Sequence, residues 1–140
     1  MATLTPLDAN SEPGIKYFSG VASYNSKFTA PKGWKSGQPL WIDLGEVREL
    51  AEVWVNGKPA GTAWHAPYRV DVSAEAKPGV NSLEVRVANL WVNRLIGDAQ
   101  IGPKPGATKI TWTALPTYRA DAPLRRSGLI GPVRVLGQGR

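Results

Sequence analysis

The side chains in this chain best suited to chemistry are few. One histidine, His65, lies in AWHAPY, and Asn93, Arg94 and Asp98 crowd into NLWVNRLIGD after an apolar run. There is no cysteine, so thiol catalysis, disulfides and Cys-based zinc sites are excluded within the chain. A lone histidine likewise excludes a two-histidine metal site. A Ser-His-acid triad would have to use His65, and no G-x-S-x-G elbow accompanies it. General acid–base work by two carboxyls needs a separation of about 5–5.5 Å or about 6.5–9.5 Å across one bond. Beyond the first thirteen residues, the acids available are Asp43, Glu46, Glu49, Glu52, Asp71, Glu75, Glu84, Asp98 and Asp121. Asp43, Glu52, Asp71 and Glu84 fall on the polar phase of alternating segments, and Glu46 and Glu49 flank a turn, as solvated acids do. IGPKPGATK lacks the Gly-Lys-Ser/Thr ending of a phosphate-binding loop. No acid cluster of EF-hand type appears.

The elements that must position these residues are strands. LWIDLG puts Leu40, Ile42 and Leu44 on one face, and LAEVWVNG puts Ala51, Val53 and Val55 on one face. YRVDVS aligns Val70 with Val72, and NSLEVRVANL aligns Leu83, Val85 and Val87 against Glu84 and Arg86. Period-two alternation of this kind predicts half-buried strands. IKYFS, VASYNSKF, TKITWT and GPVRVLG are weaker candidates. Asn56-Gly57 predicts a tight reversal, because both residues tolerate positive φ. No apolar helical spacing runs over ten positions, so residues 93–107 and 114–128 are expected to be irregular. Long loops of that kind usually bind something or pack on another domain. About eight strands without helices imply an all-β, two-sheet antiparallel sandwich.

The 140 residues, 42% hydrophobic and 20% charged, suffice for one domain with a real core. The expected division is a flexible arm over 1–13 and one domain over 14–140. MATLTPLDANSEPG lacks the basic start and apolar core of a signal peptide, and no run is long enough to span a membrane. The formal charge of +6 comes from the last third, where residues 99–140 hold seven Lys/Arg against one acid, Asp121. Those charges are scattered, with Arg125-Arg126 the only adjacent pair. Solvated loops are expected there rather than a nucleic-acid surface.

VWVNG, G-x-AW-xx-PYRVDV, KPGVNSLEVRV, NLWVNRLIGD and SGLIGPV occur in this order over roughly residues 14–137. Together they resemble the sugar-binding jelly-roll domain of family 2-type glycoside hydrolases, most of all the carboxy-terminal jelly roll of large bacterial α-L-rhamnosidases. The resemblance implies a galactose-binding-domain-like sandwich that accompanies a separate catalytic domain, in a secreted or periplasmic parent. It leaves room for one structural calcium, to which the sequence assigns no ligands, and implies no other cofactor.

With a carbohydrate as the implied partner, the six tryptophans gain a role, since aromatic faces stack on the C–H faces of sugar rings. The candidate sugar contacts are Trp64, His65 and Tyr68 in the aromatic loop, Trp91, Asn93 and Arg94 in NLWVNRLIGD, and Trp112 and Tyr118 further on. Arg94 and Asp98 are also placed to brace a loop through a bidentate pair. Trp41 and Trp54, on the outer phase of their strands, could instead dock a catalytic domain. The sequence therefore points to a non-catalytic carbohydrate-binding module. A purely structural docking domain is the alternative, and a small hydrolase is a distant third.

Overall fold

Strands form where apolar and polar residues alternate. The computed structural model describes residues 3–101 and 109–137. In chain order the strands are β1 (Val21–Thr29), β2 (Leu40–Asp43), β3 (Glu46–Arg48), β4 (Leu50–Val55), β5 (Lys58–Ala63), β6 (Arg69–Asp71), β7 (Val80–Ala88), β8 (Gly128–Gly131) and β9 (Arg134–Gly137). The helices are α1 (Pro13–Lys16) and α2 (Val92–Gln100). A four-stranded sheet runs β1-β7-β4-β5, a three-stranded sheet β6-β2-β9, and β3 pairs with β8 as a ribbon. Every strand pairing among them is antiparallel. The fold is the all-β sandwich that the alternation predicts.

One phase of each strand builds the core. Ala51, Val53 and Val55 of β4 and Leu83, Val85 and Val87 of β7 join Leu40 and Ile42 of β2 and Val70 of β6 in a single buried cluster. Val47 of β3 and Leu129 of β8 close it from the ribbon. Each of these valine, leucine and isoleucine side chains stabilises the fold by roughly 1.5–3 kcal/mol on burial. The other phase of the large sheet is a polar ladder. Ser23 Oγ donates to Glu84 Oε1 at 2.8 Å and Arg86 Nε donates to the same oxygen at 2.7 Å. Arg86 lies 4.3 Å over the Trp54 ring, whose Nε1 donates to Glu52 at 2.7 Å. Trp54 is thus covered by its own sheet.

The β4–β5 reversal has φ 51° at Asn56 and 77° at Gly57, as the Asn-Gly pair predicts. Asn56 also serves a buried neighbour that the sequence did not single out. Asn81, 0% exposed, accepts from Asn56 Nδ2 and Lys77 N, both at 2.8 Å, and donates to Lys77 O at 2.8 Å. It ties the turn before β7 to the hairpin.

Other expectations change. IKYFS is not a strand: Ile15 and Lys16 belong to α1, which begins at Pro13, a residue suited to a helix's first turn. Residues 109–113 of TKITWT form no strand. The stretch 93–107 is not simply irregular, since α2 occupies Val92–Gln100; residues 102–107 lie outside the described residues. Within the segment expected as an arm, Leu4 packs on the core, Leu7 N donates to Ser127 O at 3.0 Å and Asp8 accepts from Ser127 N at 3.0 Å.

Register decides which loops meet. Ala51 faces Ala63, and both Leu50 and Val21 face Ala88. β5 and β7 therefore finish at the same end of the sheet, and the 64–68 loop and the approach to α2 leave from there.

At that end Gly45, with φ 66°, bridges Gly131. A Cβ on Gly45 would stand 2.4 Å from the Gly131 carbonyl carbon. Gly45→Ala is expected to cost about 3 kcal/mol or more, adding backbone strain to an overlap with main chain. Gly33→Ala, also at positive φ but with nothing within 4 Å, is expected to cost only about 1 kcal/mol. Urea midpoints at unchanged slope check both.

Candidate functional site

Helix α2 forms because one side of it has somewhere to go. Val92, Asn93, Ile96 and Gly97 are buried along one face, with Asp98 beside them. Gly97 allows the close approach: a Cβ there would lie 2.7 Å from Tyr17 Cγ. Tyr17 OH donates to Gln100 Oε1 at 2.9 Å, tying the helix end to the same residue.

Three polar side chains of α2 then hold the segment 109–127. Asp98, 3% exposed, accepts on Oδ1 from Arg94 Nη2. Its Oδ2 accepts from Ile110 N at 3.1 Å, Thr111 N at 2.7 Å and Thr111 Oγ1 at 2.6 Å. Gln100 Nε2 donates to Ala120 O at 3.0 Å. Asn93, 2% exposed, clasps Arg125 in both directions, Nδ2 to O at 2.6 Å and N to Oδ1 at 2.8 Å. Burial raises the Asp98 pKa, but the Thr111 hydroxyl and amide and the Arg94 guanidinium outweigh it and hold the carboxyl below its ordinary value.

Between α2 and the tethered segment lies a groove of about 270 Å³. Leu95 and Ala99 form its helix wall, and Lys109, Trp112, Thr113 and Tyr118 form the other. Trp112 is 85% exposed and Tyr118 is half-buried. An open aromatic face beside hydroxyls and one cation can hold a small polar ring with apolar faces.

The residues singled out from the sequence thus divide. Trp112 and Tyr118 meet in the groove. Trp64, 70% exposed, and His65 stay together at the end of the large sheet, rings edge-on at 4.8 Å. Tyr68 packs against the core, and Trp91 stands exposed at the start of α2. Asn93 has both ends of its amide occupied by Arg125, and Arg94 Nη2 is paired to Asp98 while its buried Nε has no partner among the described residues. Lys109 and Thr113 escaped notice because no pattern marks a residue in an irregular segment.

Glu52 and Glu84 share Arg86 on the outer face of the large sheet, and the other carboxylates have separate partners. Asp43 pairs with Arg69 at 2.9 Å, Glu46 with Arg48 at 3.1 Å, and Asp121 with Arg119 at 3.0 Å; Asp71 accepts from Ser73. Among the described residues no three His, Asp or Glu gather as a metal would require, and no helix is long and apolar enough to cross a membrane.

Two antiparallel sheets over one core, closed by the β3–β8 ribbon, define a β-sandwich module. The chain belongs to the glycosyl hydrolase 2 galactose-binding domain-like family, whose model matches residues 8–118. It is similar to the solved rhamnosidase of Novosphingobium sp. PP1Y, at 59% identity and a TM-score of 0.85 over 96% of this chain and 12% of that one. It is 45% identical, over 87% of this chain and 12% of the relative, to a Formosa agariphila protein provisionally named a β-glucuronidase. A β-glucuronidase from an uncultured Clostridium sp. matches 60% of this chain and 15% of its own, at 30% identity and a TM-score of 0.52. The chain thus spans about an eighth of the length of the first two relatives.

Asp98→Ala is expected to cost about 3 kcal/mol, since it leaves Arg94 and three other donors without their acceptor. Because the folded carboxyl titrates below its ordinary value of 3.8, the unfolded chain takes up this proton first as pH falls. The contribution is complete above that value and is lost on acidification through the folded pKa. The stability gap between the native chain and Asp98→Asn should therefore be full well above pH 3.8 and narrow as the pH falls below it, as followed by urea unfolding.

Proposed function

We propose that this chain is a non-catalytic module of a larger glycoside hydrolase that binds saccharide in the groove between α2 and residues 109–118. One observation carries the reading: Trp112, 85% exposed, is held beside a sugar-sized groove rather than folded into the core. A tryptophan costs free energy in water, and stacking on a pyranose face removes that exposure. Tyr118 supplies a second aromatic surface, and Thr113 and Lys109 supply partners for hydroxyls. Such a shallow, wet site suits affinities near the millimolar range, about −4 kcal/mol, adequate for a module that keeps substrate near a catalytic domain. The parent is then a secreted or periplasmic enzyme acting on polysaccharide.

A second reading, docking onto a catalytic domain, is favoured by other exposed apolar residues. Ile110 is 76% exposed, Leu115 77% and Trp41 40%. Trp54 no longer supports it, being covered by Arg86. Docking predicts self-association of the isolated chain at high concentration, visible by light scattering.

Calorimetric titration with rhamnose- and galactose-containing oligosaccharides tests the binding reading. Trp112→Ala is expected to weaken binding about tenfold, or about 1.4 kcal/mol, with the melting temperature nearly unchanged. Trp64→Ala should bind as the native chain does. Silence across a broad oligosaccharide panel would leave the docking reading.

A further inference from the structure

At the other end of α2 is a second, smaller cleft of about 10 Å³, the room of one water or one carboxylate oxygen. Its walls include Asn89, Asn93, Ser127 and three arginines, Arg48, Arg125 and Arg126. Accounting for its polar groups shows what it lacks. Asn89 is spent, accepting from Gly20 N at 2.9 Å and donating to Phe18 O at 2.8 Å. Asn93 is spent on Arg125, as described.

What remains unspent is largely donor. Ser127 is 6% exposed and its Oγ has no partner, a costly condition for a buried hydroxyl. Helix α2 begins at this cleft with no side-chain cap and no acidic residue in its first turn, so its first amides and positive dipole end lack a counterpart. Arg48 and Arg126 share one carboxylate, Glu46, at 3.1 and 3.7 Å. Arg125 makes no ion pair among the described residues. Glu49 is the one acid on the wall. Glu46 and Glu49 stand against these arginines, and Asp8 accepts from the Ser127 amide at 3.0 Å, so the charges around the cleft balance while the Arg125 guanidinium keeps no carboxylate of its own.

We propose that this cleft is an anion site for a carboxylate. One oxygen enters beside Ser127 Oγ and the first-turn amides of α2, and the other meets the Arg125 guanidinium. Room for one oxygen, and a rim where Glu46, Glu49 and Asp8 already offset the arginines, suit a monoanionic carboxylate better than a phosphate dianion. The source of that carboxylate is an acidic saccharide, and this clause alone rests on the carbohydrate reading.

The test is an amide-resolved NMR titration of the whole chain at constant ionic strength, with sodium acetate, glucuronate, phosphate and galactose as probes. Acetate and glucuronate should shift the Val92, Asn93 and Ser127 amides along saturating curves, and galactose should leave them in place. Arg125→Ala removes only a side chain, since the Asn93 clasp uses the Arg125 backbone, and should weaken both carboxylates about tenfold. Glu49→Gln should tighten them.

Shifts no larger than those from chloride, or unchanged by Arg125→Ala, would overturn the anion site. Saturation by phosphate but not by carboxylates would overturn the monoanion assignment. Saturation by acetate but not glucuronate would overturn the acidic saccharide as its source. The groove is read independently at Trp112 and Thr113, so glucuronate shifts confined there would sink this proposal while leaving carbohydrate binding intact.

Discussion

A carboxylate removed from water must find its hydrogen bonds within the protein, or it destabilises the fold by several kcal/mol. Asp98, 3% exposed, finds four, one from Arg94 on its own helix and three from residues 110 and 111. That requirement shapes the whole functional end of the molecule. It fixes the start of an irregular segment against α2, and Asn93 fixes the other end at Arg125. The segment between forms neither strand nor helix, yet it is held at both ends. A groove lined by exposed aromatics follows from that double tether.

The sandwich supplies what the tether needs. The β1-β7-β4-β5 register delivers α2 from the same end of the sheet as the 64–68 loop. Gly97 lets the helix settle onto Tyr17, and Gly45 lets the β2–β3 turn meet Gly131. Side-chain size at these two glycines is therefore as consequential as any core residue. The outer face of the large sheet makes a contrast: its Glu52, Trp54, Glu84 and Arg86 satisfy one another, which leaves little for a ligand.

Period-two alternation made the core strands β2, β4, β6 and β7 legible in the sequence, and Asn56-Gly57 made the reversal after β4 legible, because each depends on local chemistry. Helix α2 was not legible, for physical reasons. It spans nine residues, starts at Trp91 without a capping side chain, and contains a glycine disfavoured in helices. Its stability comes from the surface it covers, which no local pattern shows. The i,i+4 spacing of Arg94 and Asp98 was the one available sign of it. Trp112 and Tyr118 were visible as aromatics, but their meeting depends on Asp98 reaching thirteen residues onward to Thr111. Asn81, Ser127 and Lys109 carried no sequence signal, since their roles arise from burial or position alone.

Hydrogen exchange at single amides tests most directly whether α2 holds the groove-forming segment in place. The Thr111 and Arg125 amides, bound to Asp98 and Asn93, should exchange far more slowly than a free chain, although both lie in irregular backbone. In Asp98→Asn the Thr111 amide should lose protection while Arg125 keeps it. Free-chain exchange at both amides in the native protein would contradict the account.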